Sequence, residues 1–257
     1  MKNDNKILLG LDISTTTIGV CLLEDDGSDY GKIIELTHIN PKVSRKAKGI
    51  EQLFLKKKIF EEFIFKYKEF GIDEVIIEEP LLRSNNVGTV STLLRFNGMV
   101  SDCIFNTLGV VPQYISSYDA RKYGFPELMA IRKYGKNEKQ YPYKQIKKEI
   151  ADCKLVLFGS YPWTIDKKTV IQGKVSSVFP NIEWLYDKKG ELRKENFDAC
   201  DAYACLLGWL NRERYGELEF KSEIVGESNA YGEIEINYDV SYWDRVERRT
   251  TYVRTDN

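Results

Sequence analysis

The apolar positions of this chain form short, nearly continuous runs at its start and helically spaced sets further on. Ile7 to Leu11 and Ile18 to Leu23 read as strands buried on both faces, joined by the small-residue turn Ser14–Thr17. The turn-forming stretch Glu24 to Ser28 leads into a third strand, Lys32–Thr37, so the chain is predicted to open with three consecutive antiparallel strands. From Ile50 to Phe70 the positions Leu53, Phe54, Phe60, Phe63, Ile64 and Tyr67 recur at helical spacing beneath a Lys/Glu face. Asp73–Pro80 is a short buried-type strand stopped by proline. Strand, helix and strand in that order imply a right-handed crossover and a parallel neighbour for the first strand. A helix over Thr89–Leu108, with the small residues Ser91, Gly98 and Ser101, leads to a fifth strand, Val110–Ser116, and a capped turn at Ser117–Asp119.

Beyond Arg121 the pattern changes. Tyrosines and lysines interleave across Gly124–Pro162, which reads as an insertion with one helix near Tyr143–Lys154. Asp166–Val178 resumes a helical pattern, Pro180–Lys194 is rich in turn residues, and Asn196–Glu213 is a strongly apolar helix. Alternation at Ile234, Ile236, Tyr238, Val240 and Tyr242 predicts a hairpin or an edge addition. The expected architecture is therefore α/β: a mixed five-stranded sheet flanked by helices over residues 1–214, with an insertion at about 124–162 and a β extension over 215–257.

Composition changes this picture little. The 257 residues are 42% hydrophobic and 30% charged with a net charge of −1, values ordinary for a soluble domain, and no apolar run is long enough for a membrane span. The polar start leads straight into a core strand, which predicts a cytoplasmic protein without a leader, in a bacterial cell or a virus-infected host. Charge distribution says more. Between Arg121 and Val175 there are thirteen Lys/Arg against five Asp/Glu, a local basic face of the kind that meets nucleic acid. The five cysteines (Cys21, Cys103, Cys153, Cys200 and Cys205) are scattered and form no CxxC pair, so they read as reduced core thiols. A single histidine, His38, excludes a His-rich metal site, and catalysis, where present, falls to carboxylates.

Asp12 stands inside an apolar run, where an ionised carboxylate is costly unless it faces a cation or backbone donors. A second acid ends the strand after the crossover. Glu78 and Glu79 point to opposite faces, so only one of them can join Asp12. Asp198 and Asp201, at i and i+3 in the first turn of the apolar helix, share one helix face. Four carboxylates on three elements cannot all stay ionised without a cation, and oxygen-only ligation selects Mg²⁺ or Mn²⁺ over zinc. Two such ions would suit in-line hydrolysis of a phosphodiester.

The segments "ILLGLDISTTTIGVCLL", "VIIEEPLLRSNNVGTVSTLLRFNGMV" and "NFDACDAYACLLGWL" resemble the RuvC-type Holliday-junction resolvases of the ribonuclease H-like superfamily, in order and spacing, across about Ile7 to Leu210. The resemblance implies a ribonuclease H-like fold, a homodimer acting on four-way or branched DNA, two Mg²⁺ or Mn²⁺ ions per site, and no nucleotide cofactor or membrane. It assigns Asp12, Glu78, Asp198 and Asp201 as catalytic metal ligands. By the same resemblance the basic helix with Lys167, Lys168 and Lys174 faces phosphates, and Arg83, Asn85, Asn86, Arg121 and Lys122 are further DNA-binding candidates. Helix Thr89–Leu108 is the candidate dimer interface. Two features depart from the family. Leu81 and Leu82 stand where many resolvases carry an aromatic wedge, and "VFPNIEWLY" and the insertion are peculiar to this chain. The rival readings are an actin-like or sugar-kinase-like ATPase, which needs a second Asp-Gly phosphate hairpin that the chain lacks after Tyr114, and a non-catalytic nucleic-acid-binding scaffold of the same fold.

Overall fold

The computed structural model describes residues 5–44, 46–80, 86–128, 130–131, 157–160, 166–228 and 233–254. The chain divides into two compact units, Met1–Gly124 with Asp166–Asn211, and Phe125–Ile165 with Arg212–Asn257.

The first unit is built on a five-stranded mixed sheet in the order β3-β2-β1-β4-β5. Strands β1 (Lys6–Ile13), β2 (Ile18–Asp25) and β3 (Lys32–Ile39) are antiparallel neighbours, as the three opening apolar runs predict. Strands β4 (Glu74–Glu78) and β5 (Gln113–Ile115) run parallel to β1. Helix α1 (Gly49–Ile64) supplies the β3-to-β4 crossover. The sequence predicts one helix to Phe70, but the last turn, Phe65–Phe70, tightens to a 3₁₀ helix that Gly71 ends at φ 64°. Helix α2 (Val87–Leu108) follows β4, and α3 (Ser117–Gly124) follows β5. The α3 turn is tied as expected: the Asp119 N–H donates to Ser116 Oγ, whose hydroxyl donates to the Asp119 carboxylate.

Strand alternation divides the residues of this sheet between two faces. Leu9, Leu11, Val20, Leu22, Val75 and Ile77 turn to one face and pack with Leu53, Phe60 and Ile64 of α1 and Phe96, Val100 and Ile104 of α2. The opposite face, carrying Leu8, Gly10 and Asp12, receives α5 (Lys194–Tyr215), whose residues through Asn211 belong to this unit. Helix α5 is buried on nearly every side from Ala199 to Leu210, which explains its almost unbroken apolar sequence. Helix α4 (Lys167–Val178) starts at an Asp166 cap, whose carboxylate accepts from the Lys168 N–H.

The second unit contains an antiparallel pair, β6 (Ala130–Ile131) with β7 (Leu157–Ser160), and a three-stranded meander, β8 (Phe220–Ser228), β9 (Glu233–Tyr242) and β10 (Arg245–Arg254). Of the two alternatives, a hairpin or an edge addition, the tail takes the first and extends it by a strand. The helix expected near Tyr143–Lys154 lies outside the described residues. Cys21, Cys103, Cys200 and Cys205 are buried free thiols. Among the described residues no helix is long and apolar enough to cross a membrane.

Candidate functional site

Asp12 lies near the end of β1, opposite Gly19 of β2. On its other side β4 runs parallel with Leu11 opposite Ile77, so the next residues along, Asp12 and Glu78, stand abreast at the C-terminal ends of adjacent strands. That is where open α/β sheets place their ligands. The third component comes from α5. A Cβ on Gly19 would lie 2.0 Å from the carbonyl oxygen of Asp198, and one on Gly10 would lie 2.4 Å from that of Ala202. Helix backbone therefore rests directly on strand backbone, an approach only glycine allows. This brings Asp201 over the strand ends, and one carboxylate oxygen from each of Asp12, Glu78 and Asp201 lies within 4.8 Å of the others.

Such crowding is expensive for charge. Burial, then repulsion from Glu78 and Asp201, raises the Asp12 pKa well above its ordinary value. Burial and the Asp201 charge push Glu78 up to about 7, although the positive charges of Arg121 and Lys168 oppose the rise. Asp201 is raised by burial against the same two cations. A set of oxygen donors with no nitrogen or sulfur and a deficit of positive charge fits a hard divalent cation, Mg²⁺ or Mn²⁺.

Asp198 is not part of that trio. Its Oδ1 accepts from Lys168 Nζ at 2.8 Å, and the same ammonium lies 3.0 Å from Asp201 Oδ2. Burial works against the Lys168 charge, but the two carboxylates outweigh it and raise its pKa. Lys168 thus acts as a cation of the acid cluster, a role that spacing does not reveal, because Lys167 and Lys168 are adjacent and alike at the helix start.

The other sequence candidates are dispersed. Arg121 donates to Ser117 Oγ at 3.2 Å, and its charge acts on Glu78 and Asp201. The Lys122 ammonium sits 4.7 Å from the centre of the Tyr123 ring, and that of Lys174 sits 5.5 Å from the Tyr30 ring. Asn86 caps α2, its side-chain oxygen accepting from the Thr89 N–H. Lys167 opens α4 on an exposed turn. Glu79 is exposed, and its backbone N–H donates to Ile115. Leu81, Leu82, Arg83 and Asn85 lie outside the described residues, as do Lys133, Lys136, Lys144, Lys147 and Lys148.

Among solved structures, the chain is similar to Thermus thermophilus RuvC in complex with Holliday junction substrate, with a TM-score of 0.50 and 10% identity over 82% of this chain and 96% of that one. The fold is RuvC-like. The chain is also similar to Thermus thermophilus RuvC (TM-score 0.48, 14% identity, 82% of this chain and 96% of that one) and to the yeast mitochondrial Holliday junction resolvase Ydc2 (0.44, 12%, 82% of each chain). No family model matches the sequence, and no curated protein matches it. At 10% identity the likeness speaks for the sheet and its helices alone, so the chemistry must be argued from the acids themselves.

Proposed function

We propose that this chain is a metal-dependent, structure-selective endodeoxyribonuclease that resolves four-way or branched DNA by phosphodiester hydrolysis. The observation that carries this reading is the convergence of Asp12, Glu78 and Asp201 from two strands and a helix onto one point at the C-terminal ends of β1 and β4. Fold likeness to a RuvC captured with a Holliday junction substrate supports it.

In this reading Asp12, Glu78 and Asp201 hold Mg²⁺ or Mn²⁺, and Asp198 joins them in a donor set for two ions. A bound divalent ion supplies Lewis acidity and a hydroxide equivalent at neutral pH. The chain's own groups do the rest. Backbone contact between α5 and β1–β2 fixes the acids against the sheet, Lys168 holds Asp198 and Asp201 in place and offers a phosphate a nearby cation, and Arg121 offsets part of the negative charge. Lys167, Lys174 and Lys122, with Arg83, Asn85 and Asn86, are proposed to follow the nucleic-acid backbone.

The active species is proposed to be a homodimer, since two sites related by a two-fold suit symmetric nicking of a four-way junction. Exposed Val87, Leu94 and Phe105 on α2 support that helix as the shared face. Labelled four-way junction, linear duplex and RNA–DNA hybrid, each incubated with the protein and Mg²⁺, test the proposal on one gel. Preferential nicking of the junction is expected. A folded protein that cuts no nucleic acid with Mg²⁺ or Mn²⁺ would overturn it.

A further inference from the structure

Beside the β1–β2 turn lies an open cleft of about 480 Å³, bordered by Thr16, Asn40, Lys42, Gln52, Lys56 and Lys194. Three of these are lysines, and Lys56 is unusual. Only 9% of its surface is exposed, its ammonium donates to the Thr15 carbonyl, and no carboxylate partners it among the described residues. Glu195, the acid at the cleft wall, is already committed: it accepts from Arg193 at 2.7 Å and from Asn40 at 3.3 Å. An ammonium withdrawn from water without a counter-ion is costly, and burial alone depresses its pKa. The Lys56 ammonium, the exposed Thr16, whose hydroxyl also pairs with Ser14 Oγ at 3.2 Å, and the exposed Lys42 and Lys194 border one open space, a lining that suits a tetrahedral oxyanion. The Thr15 carbonyl that Lys56 holds belongs to the β1–β2 turn, which begins two residues after Asp12, so the cleft and the first acid border the same turn.

We propose that this cleft is a phosphate subsite, which grips a backbone phosphate of the cut strand a short distance from the scissile one, with Lys56 as its buried cation. The proposal rests on the nuclease reading and adds to it a second anchor, away from the acids, that sets the register of the strand. Among the described residues no aromatic side chain lines the cleft, which directs it toward phosphate and away from a base.

Methylphosphonate replacement tests this. Junctions carrying a single neutral linkage, moved one position at a time along the cut strand, are bound by the full chain in Ca²⁺ and cut in Mg²⁺. For the wild type, one position away from the nick is expected to weaken binding about tenfold. In Lys56→Met that position loses its effect while the others keep theirs, and Lys56→Arg restores it in part. Lys42→Gln/Lys194→Gln, altered only at exposed positions, gives the same selective insensitivity to a smaller degree, so the test survives a Lys56 variant that fails to fold. Equal sensitivity of wild type and variants at every position overturns the subsite while the wild type still cuts. A wild type that neither binds nor cuts any junction overturns the nuclease reading, and the subsite with it.

Discussion

Gly19 and Asp198 meet backbone to backbone, with the position of a missing Cβ only 2.0 Å from a carbonyl oxygen. The space a side chain would fill is therefore occupied by the turn of α5 that carries the acids. Gly19→Ala should displace that turn, lowering stability by about 1–3 kcal/mol and weakening Mn²⁺ binding. Gly173→Ala, at a helix position with nothing within 4 Å, should leave binding alone and raise stability by up to ~1 kcal/mol. Thermal melts with and without Mn²⁺ check both, and a Gly19→Ala protein with native melting and metal affinity would mean that the helix adapts freely.

The pH dependence follows from Glu78. Its carboxyl titrates at about 7 in the fold against 4.5 ordinarily, so between those values the metal-free native state holds a proton that the unfolded chain has lost. Stability of the metal-free protein should therefore fall as pH rises from 4.5 to 7, by on the order of 3 kcal/mol for this group. Asp12 and Asp201 shift in the same direction. Divalent binding competes with those protons, so Mn²⁺ affinity should climb through neutral pH and ion binding should release protons, which calorimetry in buffers of different ionisation enthalpy measures. Binding that is flat between pH 5.5 and 8 would contradict this.

The two neighbouring glutamates separate cleanly. Glu78→Gln removes a donor from the cluster and should abolish Mg²⁺-dependent cleavage, whereas exposed Glu79→Gln should retain most of it. Initial rates on a junction substrate decide the matter.

Asp12→Asn and Asp201→Asn keep side-chain size while removing charge, so both should fold, bind junction DNA as well as the wild type or better, and cut it about a thousandfold more slowly or worse. Excess Mn²⁺ should recover part of the rate, because it binds such donor sets more tightly than Mg²⁺. Gel shift and single-turnover cleavage on the same preparations provide the readout.

Much of this was open to sequence reasoning, for reasons that differ by element. Three opening strands and the crossover follow from buried runs and from the handedness of parallel connections, which leave little topological choice. The Asp12 carboxylate shows itself as the lone charge in an apolar run. The apolar pattern starts the last helix at Asn196, and α5 begins two residues earlier at Lys194, because the polar residues at a helix start carry no periodic signal. Asn86 reads as a loop residue because its capping bond depends on a helix that starts one residue later. The Lys168 ion pairs join residues at least thirty positions apart through tertiary packing, and no local pattern encodes them. The third strand of the meander was hidden by the run of charges in Arg245–Arg254, which masks any alternation.

The acid cluster also has a timing built into it. Asp12 and Glu78 leave the ribosome early, but Asp201 follows Asp12 by roughly 190 residues, which at 5–20 residues per second is on the order of ten to forty seconds. During that interval the sheet and its first two helices can form while the face awaiting α5 stays bare. A nascent chain therefore has no complete metal site, and the nuclease proposed here cannot cut until nearly all of the domain has been made.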